Sequence, residues 1–411
     1  MGLIPFLCTK ALTGRGIYIS LKFMAKIVMK FGGSSVGSID LIKSIAAKIA
    51  ASKAEDDRLI LVVSAMAKTT DELWNMAHMV SERPSRREMD MLLTAGERIT
   101  MSLMSFALQE HGLSSISFTG SQSGIITDNQ HGNARIQNVN AFRIEEELDK
   151  GKIVIVAGFQ GVSGEKEITT LGRGGSDTSA VALACFTKAD RCEIYTNVDG
   201  IYSADPSVVP DAILLSEIDY DSMLALAYGG SKVMHPRAVE FALKYEIPVS
   251  IKSSFSFNEG TLMTKLRGKT MENRVIDAIA HKEGLIRYIL STKDKLNELL
   301  DIGSIEIFRY YMEGGSLELI MEAKYESEMD YLLQDSGIKP LSKEANWGFV
   351  IPVGLGINLD PVFLARILKL CEGKAIQRIS HTERSIEIML PSDQVKDCVA
   401  LLHKELLGDS K

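Results

Sequence analysis

Three short stretches of this chain carry side chains in patterns suited to handling a phosphoryl group. In KIVMKFGGSSVG (26–37) an apolar run meets Lys30 and then the bare backbone of Gly32 and Gly33, followed by Ser34. Without side chains, the two glycines let backbone N–H groups approach an anion closely. A helix opening near Ser38 would add the positive end of its dipole, and Lys30 would neutralise the phosphoryl group from the side. The Walker spacing G-x-x-x-x-G-K-[ST] is nearly met by Gly32 to Gly37, but Ser38 stands in the lysine position, so this is no standard P-loop. The plainer alternative is a tight strand-to-helix turn with a solvated lysine.

The second stretch, TTLGRGGSDTSAVALA (169–184), opens another helix from another glycine-rich loop and carries Arg173 and Asp177. Arginine's planar fork suits a carboxylate. Asp177 could orient a lysine, a metal or a substrate amine, and either Ser176 or Asp177 could cap the helix. The third, YTNVDGIYSADP (195–206), has a turn signal at Asp199-Gly200 and taken alone is only a loop. His235, just before Pro236, reads as a helix-entry residue rather than a base. The pairs Met76/Met79 and Met101/Met104, at helical spacing, read as core filler.

These loops need a frame, and the flanking sequence supplies one. Apolar strand-like runs (KIVMKF, RLILVVSAM, SISFTG, KIVIVAGFQG, CEIYTNVDG) alternate with helical patterns through the first two thirds, which predicts a mostly parallel sheet sandwiched by helices. In such a sheet, ligands sit beyond the carboxyl ends of the strands. After residue 261 the pattern changes. KLRGKTMENR reads as a linker, and two βαββα units follow, residues 285–333 and 347–408, an internal repeat of about 60 residues. The short strand VIDAIA (275–280) precedes the first unit and is expected to join the sheet of the second.

The 411 residues exceed what one core usually serves. A net charge of −7 argues against a general nucleic-acid binder, and no apolar stretch is long enough for a membrane span. Five scattered cysteines without a C-x-x-C pair suggest neither a disulfide framework nor a zinc site, and point to the reducing cytoplasm. Cys185, in AVALACF, reads as a buried small hydrophobe. Residues 1–23 read as an extension outside the fold.

KFGGSSVG, SAMAKTTD (64–71), LLTAGER (92–98), GRGGSDTSA (172–180), TNVDGIYSADP and GGSKVMHPRAVE (229–240) stand in the order seen in aspartate kinases of the amino acid kinase fold. The chain closely resembles that family over about 25–260, and its C-terminal repeat resembles the family's tandem ACT modules. The resemblance implies a reaction in which ATP, with Mg2+ on the nucleotide, phosphorylates the side-chain carboxylate of L-aspartate, the first step towards lysine, threonine and methionine. It also implies residue roles. Lys30 and Asp177 belong beside the transferred phosphoryl, with Gly32, Gly33 and Ser34 as the backbone cradle. Ser64, Thr70, Glu97 and Arg173 belong on the substrate side, Glu97 facing the amino group and Arg173 a carboxylate. Thr196, Asn197, Tyr202, Asp205 and Lys232 belong on the nucleotide side.

Two departures from the family pattern stand out. Asn197 replaces the usual aspartate after Thr196, which removes a charge but keeps a hydrogen-bonding side chain. Lys68 stands where the family often has glycine; a lysine with φ > 0 would be mildly strained, so a differently shaped loop is expected there. The expected organisation is an extension (1–23), a kinase domain (24–268) and ACT-like modules at 275–345 and 346–411, dimerising through the modules, with lysine or threonine as effector candidates. Alternatives are a relative acting on glutamate, acetylglutamate or UMP, and a non-catalytic amino-acid sensor.

Overall fold

The computed structural model describes residues 25–265, 276–292, 305–357 and 361–408. The expected extension, most of the linker, the helix expected over KLNELLD and the segment Asn358-Leu359-Asp360 lie outside those residues.

The main sheet has eight strands. In spatial order they are Glu217–Ile218, Thr261–Met263, Val249–Ser253, Arg191–Thr196, Lys26–Phe31, Arg58–Val63, Ile153–Ala157 and Ser115–Phe118. Neighbours run parallel except Val249–Ser253 with Thr261–Met263. Strands covered on both faces must be apolar on both, which explains runs such as RLILVV. Alternation then decides which way each residue points. Ile27, Met29 and Phe31 pack with the helices Ile39–Ser52 and Ala95–Glu110, while Val28 packs with the helix Gly175–Phe186 on the other side. Lys30 has the parity of Val28, so it emerges at the strand end on the side of Asp177.

Three expectations are corrected here. KIVIVAGFQG is not one strand: the chain turns at Phe159 (φ 68°), and Gln160–Ser163 joins a separate four-stranded sheet with Ile125–Thr127, Ile136–Val139 and Ile168–Thr170. Met76 and Met79 are 45% and 78% exposed, on a helix, Thr69–Val80, that buries none of its residues. Helical spacing predicts a stripe but not what covers it. Met101 and Met104 are buried as expected. Cys185 is half-buried rather than buried, and burial pushes its thiol up to about 12.

The C-terminal region forms a six-stranded sheet in the order Ile307–Glu313, Ser316–Glu322, Ala278–Ser291, Ser342–Val353, Ile386–Pro391 and Arg378–His381. The described pairings in it are antiparallel, and the helices Glu326–Asp335, Pro361–Leu370 and Ser392–Leu407 accompany it, in keeping with ACT-like modules. The piece expected as a separate short strand is the start of Ala278–Ser291, where Ala278 pairs with Val353 and Lys282 with Phe349. Two long strands thus run through both repeat units. Arg309 on one edge strand reaches Glu387 at 2.7 Å near the other edge.

This region is not a detached appendage. Ala280, Leu285, Phe349 and Ile351 belong to the same apolar cluster as Val28 and Val156. The loop after Thr196 also crosses over. Ile279 donates its N–H to the Ser203 carbonyl at 2.8 Å, and Ser203 Oγ lies 2.8 Å from Nε2 of the buried His403. Ala204 and Val209 pack in the cluster of Val395, Val399 and Leu402.

Candidate active site

A cleft of about 800 Å3 opens beyond the carboxyl end of Lys26–Phe31. Lys30, Gly33, Ser64, Thr70, Glu97, Arg173 and Asp177 all line it. These seven residues are spread from 30 to 177 in the sequence, and the sheet brings them together.

Lys30 is 9% exposed and its Nζ lies 2.6 Å from Asp177 Oδ1. The lysine is therefore not solvated. The loop after it turns on Gly32, whose N–H donates to the Tyr195 carbonyl at 3.3 Å, and closes into the helix through Ser38, whose Oγ accepts from the Leu41 N–H. Gly33 is required by close approach, because a Cβ there would come 2.9 Å from the Ala65 carbonyl. The Ala67 N–H donates to the Gly33 carbonyl at 3.0 Å, tying SAMAKTTD to the glycine loop. The loop is shaped so that Lys68, at φ −98°, is unstrained, and Ala67 takes the left-handed conformation at φ 44°.

Asp177 lies in the first turn of Gly175–Phe186, but neither it nor Ser176 caps the helix. Gly174 does, at φ 63°, in a space where a Cβ would sit 2.1 Å from that of His235. The Asp177 carboxylate is thus free to meet Lys30. His235 is itself the N-cap of Pro236–Tyr245, accepting from the Arg237 N–H at 3.4 Å, and burial holds its pKa below the ordinary value.

Glu97, in the first turn of Ala95–Glu110, is 3% exposed. Gly96 lets the helix pack against Ala65, whose N–H donates to Glu97 Oε1 at 3.0 Å. Oε2 is buried without a hydrogen-bond partner. Burial pushes this carboxyl up to about 7, against the pull of backbone N–H groups. Arg173, by contrast, has a side chain 59% exposed at the cleft mouth, 4.0 Å from Glu306 and 3.9 Å from Glu322 of the C-terminal region.

Gly32, Ser34, Thr196, Asn197, Tyr202, Asp205 and Lys232 do not line this cleft. Thr196 ends the strand beside Lys26–Phe31, where Tyr195 pairs with Phe31, so its loop borders the glycine loop. Thr196 Oγ1 donates to Asn197 Oδ1 at 3.2 Å. Tyr202 bridges Leu214 in an isolated antiparallel pair. Asp205 accepts from the N–H and hydroxyl of Ser207. Burial raises its pKa, but these bonds and the nearby His281 and Lys232 outweigh burial and hold it low. Lys232 is exposed.

Residues that sequence reasoning missed also line the cleft: Asp90, His131 and Arg237. The signals were an aspartate inside the apolar helix EMDMLL, and HGNAR in a loop.

A mostly parallel sheet with a lysine–aspartate pair at a glycine loop is the frame of a small-molecule kinase, and the chain belongs to the amino acid kinase family, whose family model matches residues 25–253. Over 395 residues it is 40% identical to an aspartokinase of Geobacillus stearothermophilus, covering 93% of this chain and 97% of that one. Within the family it therefore stands with the aspartokinases. Its fold is similar to that of E. coli aspartokinase III solved with aspartate and ADP (R-state), with a TM-score of 0.78 at 22% identity, covering 93% and 99% of the two chains. The same E. coli enzyme with lysine and aspartate (T-state) gives a TM-score of 0.72 at 23% identity, covering 92% and 99%.

Proposed function

We propose that this chain transfers the terminal phosphoryl group of ATP to the side-chain carboxylate of L-aspartate, giving ADP and 4-phospho-L-aspartate. The observation that carries this reading is the buried, unpartnered Oε2 of Glu97 in the same cleft as Arg173 and Lys30. A buried carboxylate without a partner is costly. An ammonium group from the substrate would satisfy it, while Arg173 takes a substrate carboxylate and Ser64 and Thr70 bond the rest. An acetylglutamate kinase is disfavoured by the same point, since an acetylated amine brings no cation to Glu97, whereas glutamate keeps its ammonium group and is separated from aspartate by the assay below.

Phosphoryl transfer asks mainly for positioning and for positive charge against developing negative charge. Lys30 supplies one charge at the glycine loop, held ready by Asp177. The attacking group is the substrate's own carboxylate, so no protein nucleophile is needed. Thr196, Asn197, Tyr202, Asp205 and Lys232 hold the nucleotide on the neighbouring strand and its loop. Mg2+ would come with the ATP phosphates, and Asp177, beside Lys30 in the cleft, is the carboxylate that would face it. Bound there, Mg2+ neutralises phosphate charge.

Residues 24–268 form the kinase part, and 275–345 and 346–411 two ACT-like modules. Support for a homodimer through the modules comes from the edge strand Ile307–Glu313, whose Tyr310 and Met312 are 69% and 70% exposed. An open edge with apolar side chains calls for a partner, and a second copy across a two-fold axis is the commonest. Lysine is the favoured effector, threonine the second. No helix among the described residues is long and apolar enough to cross a membrane, and the cytoplasm is the proposed location. A coupled ADP-release assay with aspartate, glutamate, acetylglutamate and UMP tests the reading: turnover with aspartate alone is expected, and preference for another acceptor overturns it.

A further inference from the structure

One part of the cleft wall is organised by a buried carboxyl group that the proposed chemistry does not use. Asp90, in the helix Arg86–Leu93, is 0% exposed. A carboxylate so buried must be satisfied by donors, and Asp90 has three. Oδ1 accepts from Thr170 Oγ1 at 2.5 Å and from the Gly132 N–H at 3.1 Å, while Oδ2 lies 2.7 Å from His131 Nδ1. An ionised carboxylate only accepts, so Nδ1 carries the proton.

The donors lie on both sides of one turn. Thr170 ends the strand Ile168–Thr170, which leads through Leu171 into Gly172-Arg173-Gly174. His131, Gly132 and Asn133 form the loop packed against that turn: a Cβ on Gly172 would come 3.0 Å from Asn133 Oδ1 and 3.1 Å from the Gly132 carbonyl. Ala134 donates its N–H to the Thr170 carbonyl at 2.9 Å. Arg237 closes the far side, donating to the carbonyls of Leu171 and Ala134 at 2.5 and 2.7 Å and to Asn133 Oδ1 at 3.2 Å. Arg173, exposed at its tip, therefore springs from a base that Asp90 and Arg237 clamp from two directions.

We propose that Asp90, acting through His131, Gly132 and Thr170, is a positioning residue for the phosphoryl acceptor: it fixes the turn that presents Arg173 to the carboxylate of a small amino acid. This rests on the reading of Arg173 and of aspartate given above. Misplacing a binding group by a fraction of its reach weakens the ligand it holds and leaves the distant ligand alone. Asp90 faces the acceptor side of the cleft, so its loss separates the two substrates.

The test is steady-state kinetics on the full chain with Asp90→Asn and His131→Gln, each alone and combined with Arg173→Lys. Asp90→Asn is expected to raise KM for aspartate by about tenfold or more, since a misplacement of about 1 Å can cost ~10²-fold, with KM for ATP nearly unchanged. His131→Gln, in a loop and partly exposed, is expected to change KM for aspartate in the same direction at an unchanged melting temperature. Combined with Arg173→Lys, either variant is expected to add less than its effect alone, the mark of residues acting as one unit. Equal shifts in both Michaelis constants, full additivity, or unchanged KM for aspartate in both single variants would overturn the proposal while the unaltered chain still turns over aspartate. An unaltered chain inactive on aspartate would sink the functional reading and this inference with it.

Discussion

Lys30 Nζ and Asp177 Oδ1 lie 2.6 Å apart, with side chains only 11% and 12% exposed. The pair resolves why a lysine stands between a buried strand and a glycine loop: its charge is held ready, pointing into the cleft, by a carboxylate from the next glycine-rich loop.

Removing the lysine therefore has two effects. Lys30→Ala is expected to lower kcat by ~10²–10³, the usual loss for one preorganised contact to transition-state charge. It also strands a nearly buried Asp177, so the melting temperature falls. Calorimetry of the double variant Lys30→Ala/Asp177→Asn separates the two: stability recovers and activity does not. A double variant as unstable as the single one contradicts the pairing.

Glu97 makes the enzyme sensitive to pH near neutrality. Burial pushes its carboxyl up to about 7 from an ordinary 4.5, and in the proposed role the ionised form is the one that takes the substrate ammonium, so KM for aspartate is expected to fall as pH rises through 7. Stability moves the other way. The folded state holds its proton more tightly than the unfolded one, so Glu97's contribution is fully present below pH 4.5 and lost as pH rises through about 7. Glu97→Gln is then expected to melt higher than the unaltered protein at pH 8, by an amount on the order of 3 kcal/mol at most, with the gap closing at pH 5. A gap that widens in acid would mean the carboxyl is stabilised as an anion.

Arg173 meets two carboxylates of its own chain before it meets a substrate. Arg173→Lys, which loses the bidentate fork, is expected to raise KM for aspartate more than KM for ATP. Glu306→Gln or Glu322→Gln is expected to lower KM for aspartate. The contacts are 3.9–4.0 Å long and exposed, and such pairs are worth ~0.2–1 kcal/mol, so the gain is no more than about fivefold. An increase in KM would mean that the two glutamates orient the arginine instead of competing for it.

Tyr310 and Met312 stand on the proposed assembly surface, 69% and 70% exposed. Tyr310→Lys/Met312→Lys is expected to convert a dimer to a monomer in analytical ultracentrifugation. A double variant that still sediments as a dimer moves the interface elsewhere.

The parallel core was legible because doubly covered strands leave a plain apolar signature, and the cleft because its loops carry glycines beside charges. What escaped the sequence depended on long-range packing. Asp90 looked like an exception in an apolar helix, and only the fold reveals its donors, 41 and 42 residues away on one loop and 80 away on a strand. Met76 and Met79 had the right spacing for a core, but nothing among the described residues buries their side of the helix. The left-handed residue at Ala67 could not be distinguished from Lys68, because the loop's curvature is set by its contact with Gly33. The crossing of the nucleotide-side loop onto the C-terminal helix left no local mark at all.

That crossing bears on the order in which the molecule comes into being. During synthesis the glycine loop, the lysine and the whole acceptor side emerge early and can fold together. The loop that carries Tyr202 and Asp205 finds its seat only when His403 has been made and folded back onto Ser203. A chain still growing, or one clipped ahead of its last helix by a protease, would hold the acceptor cleft but lack the support beneath its nucleotide loop. The proposed nucleotide side thus leans on the last helix of the chain, Ser392–Leu407.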